Sequence, residues 1–209
     1  MTLALPRLYA IIDPAQTGGR PVKAVCEELL AAGVRLIQYR DKQASSRALF
    51  ETTSGLRDIL RGHPAIFIVN DRADIALAVG ADGVHVGQED LPVELARSLL
   101  GPDRWVGTST HNLGQLREAD ASSAGYVAFG PIFATQSKAK PDPVVGLDGL
   151  RQARKATAKP LVAIGGMTVS KARQAIEAGA DAVAVISDLV GAPDIAARAR
   201  EYLRALEQG

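Results

Sequence analysis

The sequence has one cysteine, almost no net charge and no long apolar run. The single cysteine, Cys26, excludes an intramolecular disulfide and favours a reducing compartment. A formal net charge of +1 creates no global field that would recruit nucleic acid or a membrane surface. No stretch approaches the roughly 18 apolar residues of a membrane span, and the first residues do not have the pattern of a cleaved signal. We therefore expect one cytoplasmic domain over residues 1–209 that binds neither nucleic acid nor a membrane.

Several common catalytic signatures are also missing. The chain contains neither GxxxxGK[ST] nor GxGxxG, the usual phosphate-binding loops. Its histidine, cysteine and carboxylate spacing matches no zinc motif. No serine lies in an elbow turn with a Ser-His-Asp order, and no lysine lies in mid-strand for a Schiff base. The sequence therefore favours chemistry that needs no strong base.

Eight short apolar runs alternate with longer amphipathic stretches. The runs are rich in β-branched and aromatic residues and nearly continuous, which is typical of strands buried on both faces of a parallel sheet. They read LYAII, VRLIQY, AIFIV, DGVHV, RWVGT, YVAF, LVAI and AVAVI. Eight strand–helix units of about 26 residues each approach the lower limit for the fold, so the pattern predicts a (β/α)₈ TIM barrel with short loops.

Glycines and prolines punctuate the eight runs in alternation. Four runs follow a glycine that suits a left-handed helix end, and the other four follow a proline. The glycines are Gly33, Gly80, Gly125 and Gly179, and the prolines are Pro6, Pro64, Pro102 and Pro160. Two independent marks thus agree on eight units, which a doubly wound sheet would not require.

Charged residues follow the second, third and fourth runs, where the active site of a TIM barrel is expected. Gln38, Arg40 and Lys42 alternate along one strand end and suit a phosphate, with Lys138 a further candidate. Asp71 and Asp90 follow neighbouring strands, and Mg²⁺ is the ion that would bridge two carboxylates and a phosphate. The open alternatives are an ion pair of Asp71 with Arg72 or Arg40, and a helix N-cap at Asp90.

Neutral groups follow the sixth, seventh and eighth runs. Gly165 and Gly166 precede a helix, and Ser187 follows the last run, an arrangement that suits a phosphate monoester held by backbone N–H groups. The segment GPIFATQSK, residues 130–138, adds a turn, two hydroxyl groups and a lysine. Among the histidines, His111 at a strand end is a candidate base, whereas His85 within a strand favours a structural role.

The chain resembles the thiamine phosphate synthase family. The resemblance runs from LYAIID to AVAVIS and includes QYRDK, VNDRADIA, GADGVHVGQEDLP, GTSTH, FGPIFATQSK and VAIGGM in order. It implies the condensation of hydroxymethylpyrimidine pyrophosphate with hydroxyethylthiazole phosphate to thiamine phosphate and pyrophosphate. It also implies that pyrophosphate leaves first with Mg²⁺ assistance, and that the thiazole nitrogen then attacks.

The resemblance further implies a role for each matching residue. Lys138, Arg40 and Ser109 would be catalytic, and Asp71 and Asp90 would bind Mg²⁺. The pyrophosphate would contact Arg40, Lys42, Asn70 and Lys138, and the pyrimidine Gln38 and Ser109. The thiazole phosphate would contact Thr135, Ser137, Gly166, Ile186 and Ser187. The open alternatives are a related thiazole tautomerase with a histidine at position 111, a phosphosugar isomerase and a non-catalytic phosphate sensor; a homo-oligomer also stays open.

Overall fold

Eight parallel strands close into a barrel in chain order, with β1 paired to β8. The computed structural model describes residues 5–135 and 142–207. The strands are β1 Leu8–Ile12, β2 Leu36–Tyr39, β3 Ile66–Asn70, β4 Gly83–Val86, β5 Trp105–Thr110, β6 Tyr126–Phe129, β7 Leu161–Ile164 and β8 Ala182–Val185. The predicted TIM barrel is confirmed, and three of the eight apolar runs match their strands residue for residue.

Helices follow the strands and form the outer layer. They are α1 Val22–Ala31, α2 Ser46–Leu60, α3 Ala73–Val79, α4 Val93–Leu100, α5 Leu113–Ala121, α6 Gly146–Ala156, α7 Val169–Glu177, α8 Ser187–Val190 and α9 Ile195–Glu207. In the part of the chain that the structure describes, no helix is long and apolar enough to cross a membrane. The four-residue helix α8 lies directly after β8 and precedes the C-terminal helix α9.

Alternating side chains along each strand divide the apolar core into two layers. One layer lies between the sheet and the helices and includes Ile12, Phe67 and Val127. The other layer lies inside the barrel and includes Tyr9 and Tyr126. Because both faces of the sheet are covered, the strand sequences are nearly continuous in hydrophobicity.

Three of the four predicted glycine caps have the expected backbone conformation. Gly33, Gly80 and Gly179 have φ angles of 96°, 66° and 108°, which suit glycine and end the preceding helices. The prediction for Gly125 is wrong, because its φ is not positive and α5 already ends at Ala121. Serines provide the turn there, since Ser122 Oγ bonds to the Ala119 carbonyl oxygen.

A short motif recurs four units apart at the amino-terminal ends of β4 and β8. The chain reads GADGVHV over residues 80–86 and GADAVAV over residues 179–185. In each copy the aspartate accepts a hydrogen bond from the first amides of the preceding strand: Asp82 from Phe67 N at 2.8 Å, and Asp181 from Leu161 N at 2.7 Å. These carboxylates lie at the end of the barrel opposite the predicted site, where residues contribute to stability rather than to chemistry.

Candidate active site

A cavity of about 630 Å³ opens at the carboxyl ends of the strands. It is lined by every predicted site residue that the structure describes: Gln38, Arg40, Lys42, Asn70, Asp71, Asp90, Ser109, Thr135, Gly166, Ile186 and Ser187. Ser137 and Lys138 lie outside the described residues. These residues come from the carboxyl ends of seven strands, β2 to β8, and line one space, as the fold predicts.

The cation Arg40 meets a carboxylate that the sequence did not single out. Asp13, at the end of β1, is 5% exposed and forms an ion pair with Arg40. Asp13 also accepts a hydrogen bond from Ala15 N at 3.0 Å, which holds the carboxylate in place. The guanidinium group has five N–H donors, so pairing with Asp13 orients Arg40 and leaves donors for a ligand.

Asp71 and Asp90 face each other and share the cation Lys42. The Lys42 ammonium pairs with Asp71 and lies 4.0 Å from Asp90 Oδ1. The alternative partners predicted for Asp71 are wrong, because Arg40 pairs with Asp13 and Arg72 pairs with Asp74. Asp90 does not cap α4 either; the N-cap is Pro92, and Asp90 Oδ2 accepts a hydrogen bond from Gly87 N at 2.7 Å.

The environment of the two carboxyl groups drives their pKa values apart. Burial raises the pKa of Asp71 to about 6, and a hydrogen bond with Asp90 adds to that effect, while Lys42 opposes it. Partial burial opposes ionisation of Asp90 as well, but hydrogen bonds from Asp71 and Gly87 N lower its pKa. The two carboxyl groups therefore differ in pKa, although both lie beside the single ammonium group of Lys42.

Asp71 is also unusual in its backbone. Its φ of 61° makes it the one non-glycine residue with positive φ among residues 5–135 and 142–207. Aspartate and asparagine tolerate this conformation better than most side chains. A backbone bond from Asp71 N to the His85 carbonyl oxygen, at 2.7 Å, ties the turn to β4. Such outliers cluster at functional sites.

The opposite side of the cavity is built mainly from backbone. Gly165 and Gly166 have φ angles of 103° and 61°. A Cβ at Gly166 would lie 2.3 Å from the Ala134 carbonyl oxygen, so only glycine lets the loops after β6 and β7 pack this closely. Ile132 N and Phe133 N bond to Ile164 O and Gly165 O at 2.8 and 3.1 Å. This pairing places Thr135 beside Gly166 at the rim.

His111 lies on the cavity wall at the end of β5, as predicted. Its Nδ1 lies 2.7 Å from the Gly130 carbonyl oxygen and 3.5 Å from Asp142 Oδ2. The contact with a carbonyl places a proton on Nδ1. His63, in contrast, is exposed in the turn before β3.

The cavity floor carries a hydrogen-bonded chain that the sequence did not indicate. It connects five side chains from strands β2, β1, β6, β4 and β5, in the order Gln38, Tyr9, Tyr126, His85 and Ser109. Its four links measure 2.7, 2.8, 3.0 and 2.9 Å. We call these five residues the floor chain. Tyr9 and Tyr126 had no local signal, because both lie within apolar runs and their hydroxyl partners are distant in sequence.

Comparison with known proteins places this site in a family. The family model described as thiamine monophosphate synthase matches residues 8–189. The chain belongs to this family. It is 53% identical to the thiamine-phosphate synthase of Koribacter versatilis over 98% of this chain and 97% of the relative. It is 47% identical to that of Chloroflexus aurantiacus over 96% of this chain and 92% of the relative.

The similarity extends to the three-dimensional fold of a solved structure. The thiamine phosphate pyrophosphorylase of Pyrococcus furiosus superposes with a TM-score of 0.87 at 37% identity, covering 97% of this chain and 96% of that chain. The family match begins at Leu8, the first residue of β1, and ends at Leu189 within α8. It therefore spans all eight strands and both sides of the cavity.

Proposed function

We propose that this chain is a thiamine-phosphate synthase. It condenses hydroxymethylpyrimidine pyrophosphate with hydroxyethylthiazole phosphate: the methylene C–O bond to pyrophosphate breaks, and a C–N bond to the thiazole nitrogen forms. The products are thiamine phosphate and pyrophosphate. The observation that carries this proposal is one cavity with a charged wall on one side and a backbone-built wall on the other.

The charged wall suits the pyrophosphate. Arg40 would donate a fork of N–H groups, Lys42 a mobile point charge and Asn70 an amide. Arg40 is held by the buried Asp13, whereas the Lys42 side chain is 50% exposed and would turn from Asp71 to a phosphate oxygen. Lys138, outside the described residues, would add a further charge to the leaving group. Such preorganised donors stabilise charge that develops in the transition state.

The pair Asp71 and Asp90 fits Mg²⁺. Both donors are carboxylate oxygens, which a hard divalent cation prefers. Burial and Asp90 raise the pKa of Asp71, and a cation bound there would oppose that shift by favouring the ionised carboxylate. When bound, Mg²⁺ would neutralise the pyrophosphate oxygens and aid its departure. Asp71 and Asp90 would hold the ion, and Lys42 would follow the phosphate.

The opposite wall suits the thiazole phosphate. Backbone N–H groups at Gly166, Ile186 and Ser187 would bind the monoester, with the Thr135 hydroxyl group beside them. Ser137 would be a further hydroxyl donor from outside the described residues. Between the walls, Gln38 and Ser109 would bind the pyrimidine ring. The two phosphates would thus enter at opposite sides, with the reacting carbon and nitrogen between them.

Pyrophosphate release provides the direct test. The purified protein is mixed with both substrates and Mg²⁺, and release is measured with each substrate omitted in turn. We expect release that requires the pair and the metal. Tautomerisation of a thiazole carboxylate phosphate without release from the pair would instead indicate the related tautomerase. Ligand binding with no turnover of either kind would indicate a sensor.

A further inference from the structure

Each of the four links of the floor chain uses one proton, and the two tyrosines determine where these protons lie. Tyr9 and Tyr126 are buried, at 1% and 0% exposure, so each hydroxyl group must both donate and accept within the barrel. Burial raises the pKa values of both tyrosine hydroxyl groups far above the ordinary value, so each hydroxyl group keeps its proton. With one proton per hydroxyl group, the links cannot be oriented independently.

The direction of the chain is set at Gln38. Its Nε2 amide donates to the Tyr9 oxygen at 2.7 Å. Tyr9 then donates its own proton to Tyr126, 2.8 Å away, because the reverse direction would leave the buried Tyr9 proton without an acceptor. Tyr126 in turn donates to His85 Nδ1 at 3.0 Å. Every link from Gln38 to His85 thus runs the same way.

The same direction determines what the two ends offer to a ligand. A neutral His85 that accepts at Nδ1 carries its proton on Nε2, and it donates that proton to Ser109 Oγ at 2.9 Å. Ser109 is then free to donate into the cavity that it lines. At the other end one of the two Gln38 amide hydrogens binds Tyr9, and the Gln38 carbonyl oxygen is the acceptor that remains for a ligand.

We propose that Tyr9, Tyr126 and His85 are positioning residues that fix this direction and thereby select the ring. The floor then pairs with a heteroaromatic ring that has an amino donor on one edge, against Gln38, and a ring-nitrogen acceptor on the opposite edge, against Ser109. The identification of that ring as the aminopyrimidine of the substrate rests on the proposed function. A ring with an oxo group in place of the amine places two acceptor oxygens against each other at Gln38. Turning the Gln38 amide to donate to that oxo group would reverse every link of the floor chain.

The barrel makes room for this arrangement at Gly107. A Cβ at that position would lie 2.0 Å from the Tyr126 ring atom Cζ and 2.4 Å from two neighbouring ring atoms. The tyrosine ring therefore occupies space that β5 leaves open by having a glycine in mid-strand. The ring also packs at 5.5 Å from the imidazole of His85. The centre of the floor chain is thus held by packing as well as by hydrogen bonds.

Ring selectivity tests the proposal without turnover. Calorimetry compares binding of 4-amino-5-hydroxymethyl-2-methylpyrimidine with that of its 4-oxo analogue. We expect the unaltered protein to prefer the amino ring by about 10–100-fold, since one mispaired buried polar group has that effect. Tyr126→Phe and Tyr9→Phe each interrupt the chain, let its ends reorient and should reduce the preference to about threefold or less.

Tyr39→Phe is the matched control, because Tyr39 is equally buried on β2 but packs outside the barrel. It should keep the full preference. Thermal unfolding identifies any variant that fails to fold, and the two floor variants are independent of each other. An unchanged preference in a folded Tyr126→Phe or Tyr9→Phe protein would overturn the proposal, as would the lack of a preference in the unaltered protein.

The tautomer of His85 provides a second measurement. Nitrogen-15 NMR should find the proton on Nε2 and none on Nδ1 in the unaltered protein; the opposite tautomer contradicts the proposed direction. Pyrophosphate release separates the two proposals. Pyrophosphate release without ring selectivity would contradict the proposed role of the floor chain and support the proposed function. Ring selectivity with the Nε2 tautomer but without pyrophosphate release would contradict the proposed function and support the role of the floor chain.

Discussion

At the scale of single residues, Asp71 combines an unusual backbone conformation with a raised side-chain pKa. Its positive φ aims the carboxylate at Asp90, and the two together form the oxygen pair proposed for Mg²⁺. The sequence predicted both carboxylates from their places after neighbouring strands. The positive φ and the Lys42 contact could not be predicted, because they depend on how the β3 turn bonds to His85 on β4.

Asp71→Asn should weaken the metal dependence and the rate together. Asparagine accepts the positive φ, so the substitution removes charge without breaking the turn. We expect Mg²⁺ affinity to fall by more than about tenfold, since even residues that only orient metal ligands contribute 10–100-fold. The measurement is pyrophosphate release against Mg²⁺ concentration, with thiazole phosphate binding as an internal reference.

Asp74→Asn is the control for that experiment, because Asp74 is an exposed neighbour paired with Arg72. Its metal dependence should equal that of the unaltered protein. An Asp71→Asn protein with unchanged rate and metal requirement would show that Asp71 has a structural role.

Gly107→Ala should disturb the floor without touching a ligand. The added methyl group overlaps the buried Tyr126 ring, so the ring or β5 must shift. Overpacking of this kind costs about 1–3 kcal/mol of unfolding free energy. Urea unfolding measures that loss. Gly125→Ala is the matched control, since its nearest contact would be 3.6 Å and its φ is ordinary, and it should lose far less.

At the scale of elements, hydrophobic runs located the strands well because both faces are buried. LYAII, YVAF and LVAI match β1, β6 and β7 without error. The residues that form the turns were harder to predict, as Gly125 shows. A hydrogen bond of Ser122 stabilises the turn after α5, so Gly125 does not adopt a left-handed conformation. Helix α8 has four residues and is too short to produce a helical period.

The repeated GAD motif makes a prediction about stability. Asp181→Ala removes the acceptor for Leu161 N and for Arg154 Nη1, which lie 2.7 and 2.8 Å from the same oxygen. We expect a loss of about 1 kcal/mol, because the carboxylate is half exposed and water replaces part of the interaction. Chemical unfolding measures it.

Pyrophosphate release at a temperature well below unfolding should be unchanged in Asp181→Ala, since the motif lies at the far end of the barrel from the cavity. Asp148→Ala removes an exposed surface carboxylate and should leave both quantities unchanged. A large loss of activity in a stable Asp181→Ala protein would contradict the separation of the two ends.

At the scale of the whole molecule, alternating glycine and proline marks predicted the closed barrel. The two marks count units along the chain, and eight units are what closure requires. The pairing of charges at the cavity was harder to predict from the sequence. Arg40 and Asp13 neutralise each other across β2 and β1, and that pairing depends on the register between strands.

The buried thiol should make the fold sensitive to alkali. Cys26 is fully buried, and burial, with a contribution from Glu27, raises the pKa of its thiol from about 9 to about 12. Between these values the unfolded chain has lost the proton that the folded chain keeps. Stability is therefore highest below pH 9 and falls as the pH rises.

Cys26→Ala should remove that part of the pH dependence. Between pH 8 and pH 10 the unaltered protein should lose about 1.5 kcal/mol more than the variant. Urea unfolding at both pH values measures the difference, and each protein serves as its own reference at pH 8. Parallel losses in the two proteins would show that the thiol ionises as readily in the fold as in the unfolded chain.

The two apolar layers of the barrel have a consequence for altering this protein. Side chains that set the cavity point inward, whereas most of the apolar surface that holds the helices points outward on alternate residues of the same strands. Substitutions that raise thermal stability and substitutions that change the ring preference would therefore lie at different, alternating positions of the same strand. The two aims can be pursued in parallel on one chain, with Gly107 as a position where packing and ring preference meet.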